Sequence, residues 1–254
     1  MRSFGKLVWN EWLKMSKKRS FFIPYAVMAV FVLGFIYLIK SMAPADEVIT
    51  GIEMSKEIIS ESGLGQFIVF LAMIATAGAV AQEHSLGTIK FLLIRAQSRS
   101  TILASKYAAV ILYTLCMVVS TLIVAFIAGG IAFGFDATKT GWGDLLLAAL
   151  STWVYMLVYV TITFMIGVLT RSTGTAIGIG MAIVLLQGAI VMLLSKYDFI
   201  KYVLFTNTSL SVYWGDGNPP VQGMTLAFSV IVLAAYMILF LGASFVTFRK
   251  RDIA

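Results

Sequence analysis

The sequence predicts an all-α, polytopic membrane protein with six transmembrane helices, and three observations lead there. Hydrophobic residues make up 60% of the 254-residue chain and charged residues only 12%, against roughly 45–50% and 25% in ordinary soluble domains. The apolar residues fall into blocks of about 20, the helical length that crosses a hydrocarbon core of ~30 Å. The lysines and arginines flank those blocks asymmetrically. A soluble fold of this size would need a charged exterior that these residues cannot supply.

Residues 3–18 come first and read as an amphipathic helix. Phe4, Leu7, Val8, Trp12 and Met15 recur at helical spacing, with Lys6, Asn10, Lys14 and Lys17 on the other side. A basic face opposite an apolar, tryptophan-bearing one suits a helix lying in the membrane interface, although a polar extension of the first span fits the same residues. The spans follow at 21–41, 64–83, 104–133, 144–170, 173–195 and 224–247, and together they make residues 1–254 one transmembrane domain. The third and fourth exceed the bilayer and predict tilt or overhang. Pro24 falls in the first helical turn of its span, where a missing N–H costs little. A cleaved signal peptide is the rival for the first span, because Lys17-Lys18-Arg19 precede it and Ala43-Pro44-Ala45 follows. The polar leader and the apolar run from Phe21 to Ile39 are both too long for one.

With the N-terminus in the cytoplasm, the inner segments hold 14 of the 19 lysines and arginines, and the outer segments hold Lys40, Lys56, Lys139, Lys196 and Lys201. This is the positive-inside pattern, and it puts both termini in the cytoplasm of a cell-membrane protein. Of the outer segments, 42–63 carries Asp46, Glu47, Glu53, Glu57 and Glu61, the last three at the spacing of one helical face. Residues 196–223 carry Phe199, Tyr202, Phe205, Tyr213 and Trp214 ahead of Pro219-Pro220, which suits an interfacial or partly re-entrant segment.

The net charge of +7 does not indicate nucleic acid, because the basic residues border apolar spans instead of forming one polar face. Cys116 is the single cysteine and lies in an apolar run, so no intrachain disulfide forms. An enzyme is not expected. There is one histidine, His84, with no HExxH pair or cysteine cluster for a metal. There is also no GxxxxGK[ST] loop, since Gly5-Lys6 is followed by Leu7. The polar residues singled out within the spans are Gln66, Gln82, Ser120, Thr121, Thr161, Thr163 and Gln187. No buried aspartate or glutamate is expected in the spans to relay protons or hold sodium, which counts against a secondary transporter. Gln187, at mid-span, reads first as an interhelical hydrogen bond and second as a substrate contact. Gly174-x-x-x-Gly178 gives the fifth span a small-residue face for close helix approach, within one subunit or between two.

The most informative stretch is Glu83-His84-Ser85-Leu86-Gly87-Thr88-Ile89-Lys90-Phe91-Leu92-Leu93, followed by Arg95, Ser98-Arg99 and Lys106. It forms a cytoplasmic hairpin with a short amphipathic segment after Gly87. Its residues alone fit two roles equally, a bump gripped by a soluble partner or a basic loop resting on anionic lipid.

This pattern resembles the Glu-x-x-x-Gly-Thr…Leu-Leu…Ser-Arg…Lys signature of permease subunits of type 2 ABC exporters. Asn10-Glu11-Trp12-Leu13-Lys14 leading to Arg19-Ser20-Phe21, and the ending Phe245…Phe248-Arg249-Lys250-Arg251-Asp252-Ile253, agree with it. The resemblance implies a homodimer or heterodimer of permeases, each docking a separate cytoplasmic ATPase that binds ATP and Mg, with no cofactor in this chain. It implies that residues 3–18, with Phe4, Val8, Trp12 and Lys14, are the interfacial connecting helix. Residues 84–98 become the coupling helix, with Glu83, His84, Leu86, Gly87, Thr88, Lys90, Leu92, Arg95 and Arg99 as ATPase-coupling residues. Residues 198–215 correspond to outer re-entrant helices, and Gly174, Gly178 and Gln187 to a dimer or substrate path. The outer loops are too short for the ectodomain of macrolide-type exporters. The chain is most similar to the small exporters of antimicrobial or toxic peptides, including lantibiotic-immunity, bacitracin-resistance and amphipathic-toxin systems. Drugs, lipids and polysaccharide carriers stay open as substrates, and an anchor or sensor subunit, or an ATP-independent channel or carrier, stays open as the function.

Overall fold

The computed structural model describes residues 4–42, 49–85, 98–135, 140–214, 219 and 221–250, with the backbone alone for 80–85. The described residues are mostly helical and include no strand. In chain order the helices are α1 (Phe4–Ser16), α2 (Arg19–Met42), α3 (Gly51–Ile59), α4 (Gln66–Ser85), α5 (Arg99–Phe133), α6 (Trp142–Thr170), α7 (Thr173–Leu194) and α8 (Leu226–Lys250). A wide turn of π type, Glu61–Gly65, links α3 to α4, and three short 3₁₀ turns lie between α7 and α8.

Six helical runs are long and apolar enough to cross a membrane, and most of their limits fall within about two residues of the expected spans. Two differ. The third begins at Arg99, five residues early, because the Ser98 hydroxyl accepts from the Thr101 N–H at 3.2 Å and starts the helix there. In the second, α4 (Gln66–Ser85) matches the expected 64–83 within two residues, and the apolar helical run extends back to Gly51, so the residues expected as an outer loop include a further helix, α3.

Thr50 starts that run with a reciprocal cap: its hydroxyl accepts from the Glu53 N–H at 3.3 Å, and its own N–H donates to the Glu53 carboxylate at 3.1 Å. Ile52, Ile58 and Ile59 are fully buried. The α3 helix lies so close on the C-terminal turns of α5 that the Gly51 N–H donates to the Gly134 carbonyl at 3.0 Å. The helix stops at Ser60, whose backbone is extended, and Gly63 is also non-helical. The broken ladder is satisfied locally: the Thr152 hydroxyl donates to the Ile59 carbonyl at 2.7 Å, and the Gly65 N–H donates to the Ser60 carbonyl at 2.9 Å. Thr152 is ten residues into α6, so the break lies about 15 Å below the start of that helix.

The central helix is α6, 67% buried along its most apolar window, against 11% for α7 and α8. It packs on α3, α4, α5, α7 and α8. The outer faces of α2, α7 and α8 present Phe22, Val30, Tyr37, Leu185, Ile231 and Ile238 to the surroundings. An apolar girdle on this scale is compatible with lipid and not with water. The molecule is a multi-pass membrane protein. Its proximal end holds α1, the start of α5 and the end of α8; its distal end holds the start of α3, the end of α5 and the 196–214 segment.

Candidate functional sites at the two ends of the bundle

At the proximal end, side chains far apart in sequence meet. The Lys106 ammonium, 2% exposed, stands 2.7 Å from the Glu11 carboxylate, and Lys14 stands 2.7 Å from the other oxygen of the same group. Burial pushes the Glu11 carboxyl up, but the two ammonium groups outweigh it and hold it below the usual glutamate range. The pair fixes α1 on α5. Leu7 is buried beside it, and the Trp12 ring meets the Phe21 ring edge-on at 5.3 Å. Glu11, Lys14, Lys18, Gly78 and Lys106 line a small cavity of about 100 Å³ between α1, α4 and α5. Across the same end, the Arg99 guanidinium donates to the Arg249 carbonyl at 3.2 Å.

Of the residues expected at this end, Val8 and Trp12 are half-buried on α1, while Phe4 and Lys14 are exposed. Glu83 and His84 belong to the last turn of α4. Leu86, Gly87, Thr88, Lys90, Leu92 and Arg95 lie outside the described residues. Arg99 is the first residue of α5 and not part of the hairpin. Glu11 was visible in its motif, but its partner is 95 residues away and no local signal joins them.

At the distal end a cavity of about 510 Å³, with polar and apolar side chains in its wall, opens between the turn at Ser60, α6, α7 and the 205–212 segment. Glu61 lines it, and this corrects two expectations. The turn at Ser60 takes Glu61 off the face of Glu53 and Glu57, and puts a carboxylate inside the apolar helical run Gly51–Ala79. The Ser209 hydroxyl donates to one Glu61 oxygen; the other is buried without a hydrogen-bond partner. Gln187 bridges α7 to α6 from the cavity wall, accepting from the Tyr159 hydroxyl and donating to that of Tyr155. It is therefore both the interhelical link and a cavity residue.

The distal roof comes from residues 198–214. They fold inward as three 3₁₀ turns, Asp198–Tyr202, Leu204–Thr206 and Leu210–Tyr213, instead of the re-entrant α-helices that the resemblance implied. The buried Asn207 amide holds the first turns by donating to the Lys201 and Val203 carbonyls, each at 2.8 Å, and its oxygen accepts from Ser229 on α8. Trp214 donates to the Ser151 hydroxyl on α6 at 2.9 Å. Among the described residues no group of three histidine, cysteine, aspartate or glutamate side chains converges.

Gly174 and Gly178 play no part in packing within the chain, since a Cβ on either would meet nothing within 4 Å. The packed glycine of α7 is Gly180, where a Cβ would stand 2.5 Å from the Thr163 hydroxyl and 2.6 Å from the Met73 methyl. Gly178→Leu is accordingly expected to leave the melting temperature of the isolated chain unchanged. Gly180→Leu is expected to cost roughly 1–3 kcal/mol by overpacking. Thermal unfolding of both variants in one detergent checks this.

Comparison with known proteins adds similarity along nearly the whole chain. It is 29% identical over 311 aligned residues to the uncharacterized protein YhcI of Bacillus subtilis (strain 168), covering 98% of this chain and 99% of that one. It is 24% identical over 249 residues to the uncharacterized membrane protein YdbK of the same organism, covering 95% and 99%. A family model described as a protein of unknown function, DUF2705, matches residues 19–254. The chain belongs to the DUF2705 family.

Proposed function

We propose that this chain is the membrane permease subunit of an ATP-driven ABC exporter in the cell membrane. In this reading it works as a dimer of permeases, each docked on a separate cytoplasmic ATPase, and moves amphipathic, antimicrobial or toxic peptides or similar molecules outward. The proximal end is the cytoplasmic one, and ATP-driven closure of the ATPases is delivered to the segment around Glu83 to Arg99. Each nucleotide state of the ATPase favours one permease conformation through its contacts there.

One observation supports the reading above others. The three sequence elements that carry the resemblance are distant in the chain, yet they meet at one end of the bundle. Glu11 of the first pairs with Lys106 of the second, and Arg99 of the second donates to Arg249 of the third. Elements that transmit force from a docked partner need such mutual bracing, and unrelated charged residues near a membrane surface do not.

Gentle extraction of the tagged protein, with mass spectrometry of what co-purifies, tests it. A P-loop ATPase in equal amount is expected, and it should be lost when residues 84–98 are altered. Glu83→Ala is expected to retain that ATPase and its hydrolysis while abolishing export. No ATPase under any mild condition, or undiminished export by Glu83→Ala, would overturn the assignment. An ATP-independent carrier is the second reading, and Glu61 favours it, because a carboxylate at a helix break within a span suits ion or substrate binding. Flux in reconstituted vesicles with and without ATP separates the two.

A further inference from the structure

We infer that the distal cavity binds the cationic head of an amphipathic ligand, with Glu61 as its counter-charge. Its volume, about 510 Å³, is within the range of small-molecule sites. Among the described residues Glu61 is the single charged one in its wall, with no lysine, arginine or histidine. One Glu61 oxygen has only the Ser209 hydroxyl, and Oε1 is buried without a partner. An ionised carboxylate left so is strongly unfavourable in a desolvated site unless a proton or a cation joins it. The terminal torsion of a glutamate is broad, so either oxygen can turn to the cavity.

The carboxylate selects a cation over an anion. The Ser209 hydroxyl donates to Glu61, the Thr208 hydroxyl to the Phe205 carbonyl, the Gln187 amide to Tyr155, and the Tyr159 hydroxyl to Gln187. These four donors are committed, while the Gln66, Thr206 and Ser211 side chains add both donors and lone pairs to the wall. An anion would face the Glu61 charge, whereas a primary ammonium brings three N–H groups of its own to it. Tyr155, Phe205, Val191 and Val212 also line the cavity and suit an apolar body. A divalent metal is a poor match, since it takes about six oxygen ligands with more than one charge.

That such a ligand is exported cargo rests on the exporter reading; that it binds does not. The test therefore uses the full chain alone, in lipid nanodiscs and without any ATPase. The probe is dansylcadaverine, a primary alkylammonium on a fluorescent apolar body, and the control is the same molecule acetylated on its amine. Wild type is expected to bind dansylcadaverine saturably and the acetylated form at least tenfold more weakly. Glu61→Gln is expected to lose at least tenfold in dansylcadaverine affinity, and Glu57→Gln, at an exposed carboxylate outside the cavity wall, to lose none.

Equal binding of the two probes, no saturable binding by the folded wild type, or Glu61→Gln binding like wild type would each overturn the inference. The last result combined with a higher melting temperature would identify Glu61 as a carboxyl held protonated. Should Glu61→Gln fail to fold, Ser211→Cys in a Cys116→Ser background decides. Maleimide labelling at that cavity position should be slowed by dansylcadaverine and not by its acetylated form, and equal labelling rates overturn the site. Failure here leaves the ATPase co-purification untouched, so the two conclusions fall separately.

Discussion

Glu11→Ala is expected to destabilise the protein by about 3 kcal/mol or more, the cost of breaking a buried ion pair from one side. The substitution removes the carboxylate 2.7 Å from an ammonium that is 2% exposed, and it detaches α1 from the helix that holds it. Lys106→Met removes the other charge and refills the space with an apolar chain, so the double variant should recover part of the loss. The charge exchange Glu11→Lys with Lys106→Glu should recover more. Thermal unfolding in a fixed detergent gives the cycle, and additive losses would show that the pair is not coupled. Because the folded carboxyl titrates below the ordinary glutamate value, its contribution is full above that value. It fades as the pH falls through the lowered one. The wild-type advantage over Glu11→Ala should therefore shrink on acidification and persist at neutral pH.

Gly51→Ala is the second substitution with a large expected effect. A Cβ at Gly51 would stand 2.5 Å from the Gly134 carbonyl oxygen and 2.7 Å from the Gly130 Cα. Both are backbone atoms of the chain it packs on, and no rotamer change relieves such a contact. Either α3 moves off α5, breaking the Gly51 to Gly134 hydrogen bond, or α5 bends. A loss of about 3 kcal/mol, the upper part of the usual overpacking range, is expected. Gly34→Ala and Gly242→Ala, with nothing within 4 Å of the added carbon, should cost nothing and serve as controls. A Gly51→Ala protein that melts with the wild type would show that α3 is not seated on α5.

The spans were legible because their signal is local: a block of about 20 apolar residues is visible without knowing what it touches. The break in the second span was written in the chain as well. Ser60-Glu61-Ser62-Gly63-Leu64-Gly65 is a cluster of turn formers, but the regular spacing of Glu53, Glu57 and Glu61 reads as one continuous helical face. Turn chemistry overrode periodicity at Ser60, and the third glutamate went inward. The early start of α5 was likewise present in the Ser98 to Thr101 cap.

The sites themselves were legible only in part. Gln187 stood out because an amide at mid-span needs a partner. Tyr155, Tyr159 and Ser209 did not, because each is ordinary in its own segment and becomes a wall only when α6, α7 and the 3₁₀ turns come together. Glu11 and Lys106 are the same case across 95 residues. What decides such meetings is tertiary packing, and neither propensity nor spacing encodes it locally.

The uninterrupted length of α5 has a mechanical consequence. Lys106, clamped by Glu11, and Gly130, against which Gly51 packs, belong to one helix with no proline or break between them. They are separated by about 36 Å of rod. A tilt of roughly 5° pivoting at Lys106 sweeps Gly130 sideways by about 3 Å. That is enough to open the glycine contact on which α3 rests, and the glutamate at the foot of α3 would feel the displacement. A push received at one face of the molecule would in this way become a lateral stroke at the other, with the turn at Ser60 as the yielding joint.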